Sequence, residues 1–327
     1  MTPEGETPNS VPRPEFCLFA SETLSARIWA MLDEVQGVRE SRDPECLHRM
    51  RVASRRFRNA LSLFEACFSA DDSRRWQKEA RAVGRALGDA RDADVQAGSV
   101  AARMEDLGDP RLKPGVERLL LRLSQKRAGL QGKVRKALDR LERGPLKTEL
   151  PEALRNLSVE MRLACPGETA PVVRSAASAL LTRRLAELEA FDAVADHPER
   201  VEELHSMRIA AKRLRYTLEV FRPVLGEKAA DLLGQLKEMQ DLLGEIHDCD
   251  VWTSWLPAFM EKERDRALLY FGHVRPFARL RPGIEFLEGD FRDRRRRRFL
   301  DFRAFWKKSH STRGWMDGLS VPEAEGP

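Results

Sequence analysis

The sequence is short of several things, and each shortage removes a class of protein. Only two tyrosines, Tyr216 and Tyr270, occur among 327 residues, and aromatic residues make up 7%. A surface that stacks bases on rows of rings therefore has little to work with. The five cysteines, Cys17, Cys46, Cys67, Cys165 and Cys249, form no C-x-x-C pair and no zinc-ligand spacing. Such isolated thiols, odd in number, predict reduced cysteines in a cytosolic compartment. The opening stretch MTPEGETPNSVPRPE lacks the cationic start and apolar core of a secretory signal. No run approaches the roughly 20 apolar residues of a membrane-spanning helix. These features predict a cytoplasmic protein.

Alternating Val/Ile/Thr-rich runs are also missing, while apolar residues recur at spacings of three and four almost throughout, which predicts an all-α fold. Helices are expected at about 16–40, 44–68, 72–106, 114–142, 147–163, 170–195, 198–222, 227–271 and 284–308. Asp43-Pro44 and His197-Pro198 read as helix starts with proline at the opening position. The segment ACPGETAP near 163–171 separates a first helical half, 16–163, from a second, 170–310. Residues 1–15 and 311–327 read as disordered tails. Hydrophobic residues at 42% suffice for a core, and charged residues at 33% give a dense exterior. The net charge of +5 is too small to name a ligand, so what matters is where the cations sit.

They sit in a repeat. LHRMRVASRRFRNALSLF at 47–64 matches LHSMRIAAKRLRYTLEVF at 204–221 with nine identities in eighteen ungapped positions. Downstream, LGDARDADV at 87–95 matches LGEIHDCDV at 243–251. A duplicated helical plan accounts for both.

At about 100° per residue, His48, Arg51, Arg55 and Arg58 share one helical strip, and His205, Arg208, Lys212 and Arg215 share its copy. Met50, Ala53, Phe57, Ala60, Leu61 and Phe64 fall on the opposite side, as do Met207, Ala210, Leu214, Leu218 and Phe221, and these faces should pack inward. Like charges stacked along one strip repel by a few tenths of a kcal/mol per adjacent pair, so folding alone does not select them. A row of cations roughly 5 Å apart suits a chain of phosphates, whose oxygens guanidinium forks bind in pairs. The bland alternative, a solvated basic face or one neutralised by neighbouring carboxylates, fits a single copy better than two.

A second basic ridge, Arg74, Lys78, Arg81 and Arg85, follows in the first half; Lys237 matches Arg81, but Asp241 stands where Arg85 does. Asp89 and Asp92 match Glu245 and Asp248. These acids read as supports that orient the cations, or less readily as oxygen ligands for Mg²⁺ or Ca²⁺. His247-Asp248 aligns with Arg91-Asp92, and arginine does not ligate metals, so a metal site is not expected. The leucines Leu119, Leu123, Leu130 and Leu138 read as bundle core. The run Arg294–Arg298, followed by Phe299, Phe302, Phe305 and Trp306, reads as a docked amphipathic helix whose cations extend the basic surface or meet acidic lipids.

The motif L-H-x-M-R-[VI]-A-x-[KR]-R-[FL]-R, present at 47–58 and 204–215 together with LG-x-x-[RH]-D-x-D-V, resembles the CHAD domain, the conserved histidine α-helical domain. The likeness covers roughly residues 16–310. It implies two pseudo-twofold-related four-helix bundles with long antiparallel helices, a basic central groove that binds inorganic polyphosphate, and association with polyphosphate granules. Carried over by position, the binding residues are His48, Arg51, Arg55, Arg56, Arg58, His205, Arg208, Lys212, Arg213 and Arg215, to which the ridge adds Arg81 and Lys237. Some members carry a fused triphosphate-tunnel catalytic domain, whose β-strands are not found here, so the resemblance implies a stand-alone binding module without catalysis or cofactor. Two other readings stay open. One is a nucleic-acid-binding helical protein; the other is a metal-dependent phosphohydrolase using Asp92, His247 and Asp248.

Overall fold

The computed structural model describes residues 12–40, 43–165 and 167–311, and among them every regular element is helical, with no strand. The elements are α1 (Pro14–Leu32), α2 (Val35–Glu40), α3 (Pro44–Leu63), α4 (Ala70–Glu105), α5 (Lys113–Arg143), α6 (Pro145–Thr148), α7 (Leu150–Ala164), α8 (Ala170–Glu189), α9 (Val201–Leu225), α10 (Lys228–Phe271) and α11 (Arg275–Ser311). Most of residues 1–15 and 311–327 lie outside the described residues, although Pro14 and Glu15 already open α1.

Local chemistry places the start of α3. Pro44 supplies a helical φ, and the Asp43 carboxylate caps the first turn by accepting the Glu45 N–H at 2.8 Å. His197-Pro198 does not do the same: Pro198 lies in a turn and α9 opens at Val201. The expected first helix, 16–40, is two, because a turn at Asp33–Glu34 separates α1 from α2. Nonlocal ion pairs hold that turn. Arg49 of α3 grips Glu34 with Nε and Nη2 at 2.7 and 3.0 Å, and Arg39 of α2 reaches Asp139 and Glu142 of α5 at 2.7 and 2.6 Å.

The expected start of the last helix at 284 is likewise nine residues late, since α11 runs through Pro282 from Arg275. The reason is a close helix crossing. A Cβ on Gly283 would stand 2.0 Å from the Leu112 carbonyl oxygen, and one on Gly115 of α5 would stand 2.1 Å from the Leu280 carbonyl oxygen. Two glycines thus let α5 and α11 meet backbone to backbone.

The chain divides into two compact units. The first comprises residues up to Arg91, Gln131–Leu180 and Tyr216–Gly226; the second comprises Asp92–Leu130, Leu181–Arg215 and Glu227 onward. This spatial division differs from the sequence halves, because α4, α5, α8 and α9 each pass from one unit into the other.

In the first unit, Phe16 and Phe19 of α1 pack against Phe64 and Phe221, with Phe64 and Phe221 6.2 Å apart. Those last two are equivalent positions of the repeat. Cys17 and Cys67 form a disulfide with their Cα atoms 5.5 Å apart, which corrects the expectation of five reduced thiols; Cys46, Cys165 and Cys249 remain free. The spacing rules missed the pair because it joins positions 50 residues apart in sequence.

In the second unit, Val100, Val116, Leu119, Leu123, Trp252, Leu256, Phe259, Ile284, Leu287 and Phe291 form the core, with Trp252 stacked on Phe291 at 4.9 Å. Leu119, Leu123, Leu130 and Leu138 are all buried, as their spacing predicts. Burying a side chain of this size contributes about 1.5–3 kcal/mol, so either core readily fixes the helices that carry the charged residues.

Candidate functional site

Each copy of the histidine-arginine signature occupies one helix, α3 or α9, with its apolar side in a core. Met50, Phe57, Ala60, Leu61 and Phe64 are fully buried, as are Met207, Leu214, Leu218 and Phe221, while Ala53 is half-buried. The opposite strip is neither core nor open surface. His48, Arg51, Arg55, Arg58, His205, Arg208, Lys212 and Arg215 are all half-buried, whereas the off-strip Arg56 and Arg213 are exposed. Arg56 is also engaged elsewhere, with Nε 3.0 Å from Glu219.

What the strips lean on is the helix that carries the second motif. Gly88 of α4 faces Arg51, where a Cβ would lie 3.8 Å from Nε. Gly244 of α10 faces Arg208, where a Cβ would again lie 3.8 Å from Nε. These glycines are equivalent residues of the repeated LG motif, so in both copies the small residue leaves room for the same arginine. The glycine recurs in both sequence copies, but its task shows only where its missing side chain stands opposite a long cation.

One turn earlier the copies diverge. In the first unit, Gly84 makes space for Arg58, since a Cβ there would meet Nη1 at 2.8 Å and Cδ at 3.3 Å. In the second, Gln240 takes the equivalent place; it accepts the Arg215 Nε–H at 2.9 Å and donates to the Ala211 carbonyl at 3.0 Å. Arg55 lies over the ring of buried Tyr216 at 5.0 Å, a cation–π contact.

Electrostatics in both units show like charges crowded together. Burial, followed by Arg81 and Arg85, pulls the Arg58 guanidinium below its ordinary value. Around His205, the Nδ1 atoms of His205 and His247 stand 3.2 Å apart with ring centroids at 4.5 Å. Burial, then Arg208, His205 and Lys212, pushes His247 from 6.5 down to about 4. One ring donates and the other accepts, the tautomers deciding which.

The predicted acids divide by partner. Glu245 accepts from Arg294 at 2.9 Å and Arg298 at 2.8 Å; burial opposes its ionisation, yet those guanidiniums hold the carboxyl below its ordinary value. Asp248 lies among Arg208, Asp92, Lys212 and Glu245, and burial raises its carboxyl, an effect moderated by water because the residue is exposed. Asp92 and Asp248, equivalent residues, thus approach each other in the second unit. Asp89 is exposed and makes no ion pair among the described residues. No group of three or more His, Cys, Asp or Glu side chains is placed to share a metal ion among the described residues.

The other aspartate pair in the motif, Asp94 and Asp250, has a role that its sequence position does not reveal. Asp94 accepts Arg127 Nε of α5 at 2.8 Å, and Asp250 is bridged by Arg295 of α11. Both therefore tie the motif helix to a neighbour. Arg295 also donates to the Pro198 carbonyl at 2.6 Å. The Arg294–Arg298 run is thus largely a clamp on α10, with Arg297 free of ion pairs among the described residues. On the ridge, Arg74 pairs with Asp71 at 2.5 Å and Arg81 donates to Gln77 at 2.8 Å, while Lys78, Arg85 and Lys237 are exposed.

Known proteins are similar to this chain in sequence and fold. The chain is 32% identical over 213 residues to the uncharacterized proteins MT2285 and Rv2226 of two Mycobacterium tuberculosis strains, covering 62% of this chain and 38% of each relative. The match therefore spans well under half of those relatives' length. Among solved structures, the fold resembles the CHAD domain from the plant Ricinus communis, with a TM-score of 0.55 and 24% identity over 93% of this chain and 97% of that one. It also resembles PptA from Streptomyces chartreusis, with a TM-score of 0.58 and 16% identity over 88% and 98%. At those identities the likeness shows the fold. Residues 22–257 match the CHAD domain, and the chain belongs to the CHAD domain family.

Proposed function

We propose that this chain binds linear inorganic polyphosphate through the strips on α3 and α9 without turning it over, in the cytoplasm and in association with polyphosphate granules. The observation that carries the reading is a half-buried strip of cations repeated on α3 and α9, with further like charges crowded beside each. Burial, then Arg81 and Arg85, depresses Arg58 on α3, and burial, then Arg208, His205 and Lys212, depresses His247 on α10 beside the α9 strip. A half-buried row of cations that repel one another gains when an anion enters, because each phosphate offsets both the repulsion and the incomplete hydration.

His48, Arg51, Arg55 and Arg58 with Arg81, and His205, Arg208, Lys212 and Arg215 with Lys237, supply the phosphate contacts; Arg56 and Arg213 lie at the margins. Arginines bind oxygens in pairs and lysines as point charges. Release of counterions from the polyanion drives association, so affinity falls steeply with salt, by roughly 0.7 log units per decade of salt for each phosphate neutralised if single-stranded nucleic acid is a guide. Specificity for phosphate chains over nucleic acid follows from the lack of exposed tyrosine, tryptophan or phenylalanine on the strips, since Tyr216 is buried beneath Arg55.

A competition titration with long polyphosphate, short polyphosphate, DNA and RNA at fixed ionic strength tests this. Long polyphosphate should displace the probe best, and equal displacement by DNA would overturn the assignment. Replacing Arg51→Glu together with Arg208→Glu should abolish binding with the helical circular dichroism unchanged. Retained affinity would move the site elsewhere.

A further inference from the structure

The hairpin that joins α10 to α11 ends in a feature that polyphosphate binding does not use. Four consecutive apolar residues close α10: Leu268, Leu269, Tyr270 and Phe271, exposed by 51%, 80%, 78% and 61%. Because successive helical residues point about 100° apart, exposure of all four means that this turn presents apolar surface on every side, with the Phe271 ring stacked on nearby His273 at 6.5 Å. Gly272, at φ 69°, ends the helix in the left-handed conformation and donates its N–H to the Leu268 carbonyl at 2.9 Å. Val274, 41% exposed, continues the apolar tip to the start of α11. Other exposed leucines and phenylalanines, Leu121, Leu163, Phe286 and Leu300, are scattered along the chain, whereas here four large apolar residues are consecutive, and a contiguous exposed group of this kind calls for a partner.

The charge around the tip indicates which partner. Residues 262–281 contain six cations, Lys262, Arg264, Arg266, Arg275, Arg279 and Arg281, against two carboxylates, Glu263 and Asp265. Glu263 is buried and taken by Arg118, Arg122 and Arg266, and Arg281 pairs with Glu285 at 2.7 Å. Lys262, Arg264, Arg275 and Arg279 are exposed and make no ion pair among the described residues. The tip of a second copy would bring the same cations against these and be repelled. A surface that is negative outside and apolar beneath satisfies both halves of the feature: aromatic and leucine side chains enter the headgroup boundary while the cations stay with the phosphates.

We propose that the α10–α11 hairpin tip is a peripheral docking element for anionic phospholipid membranes. No helix among the described residues is long and apolar enough to cross a bilayer.

The test is sedimentation of the full chain with vesicles of phosphatidylcholine alone and of phosphatidylcholine mixed with phosphatidylserine. The native chain should sediment with the mixed vesicles and not with the neutral ones. The Leu269→Ser/Tyr270→Ser/Phe271→Ser variant should lose on the order of tenfold or more of that partitioning, and Arg275→Glu/Arg279→Glu should lose a similar amount. All five positions are exposed, so circular dichroism should be unchanged, and polyphosphate affinity of the serine variant should equal that of the native chain. Failure of the native chain to bind mixed vesicles, or undiminished binding by the serine variant, would overturn the proposal. So would self-association of the native chain that the serine variant abolishes without any vesicle binding, since the tip would then belong to a second copy.

Discussion

The glycines opposite the strip arginines show how one missing side chain shapes a binding surface. At Gly244 a Cβ would only touch Arg208, at 3.8 Å, so Gly244→Ala should be tolerated, whereas the longer side chain of Gly244→Leu would displace the guanidinium. Losing its charge-assisted bonds to phosphate should weaken polyphosphate binding by about tenfold, measured by titration, with stability little changed. His247 makes a separate prediction. Its folded value of about 4 lies below the ordinary 6.5, so between those pH values the unfolded chain binds more protons than the folded one. This contribution to stability is complete above about 6.5 and is lost as pH falls toward about 4. Denaturant midpoints should therefore drop across that window in the native chain and drop less in His247→Gln. Bound polyphosphate should narrow the difference, because its charge favours the imidazolium.

Among the elements, α5 and α11 cross closely, and backbone rather than side chain sets the limit. Gly115→Ala or Gly283→Ala places a methyl about 2 Å from a carbonyl oxygen, so the helices must separate. Overpacking of this kind should cost about 1–3 kcal/mol, read as a lower thermal midpoint. Gly132→Ala on the same α5 meets nothing within 4 Å and should instead stabilise by about 0.5–1 kcal/mol. The periodicity that identified α5 treats all its glycines alike. Only the partner helix separates those that must stay small from those that merely weaken the helix. For the same reason the Arg294–Arg298 run was legible as a docked basic helix but not as a clamp. Glu245 and Asp250, which it grips, are neighbours only after α11 folds back on α10.

For the molecule as a whole, the Cys17–Cys67 bridge ties the first turn of α1 to the short 3-10 turn that follows α3, across 50 residues. Reducing it should lower stability by about 2–4 kcal/mol, seen as a lower thermal midpoint with reductant and no such change in Cys17→Ser/Cys67→Ser. By itself the sequence determined the helical class, the duplication, and the assignment of His48, Arg51, Arg55 and Arg58 and their copies to one side of a helix with the core on the other. Each of these depends on spacing along a single helix, which periodicity reports directly. Tertiary structure alone decided the disulfide and the pairing of Glu245 with Arg294 and Arg298. It likewise decided the His205–His247 contact and the room that Gly88 and Gly244 leave for Arg51 and Arg208. Those contacts join residues from different helices, and which helices become neighbours follows from how the apolar faces pack.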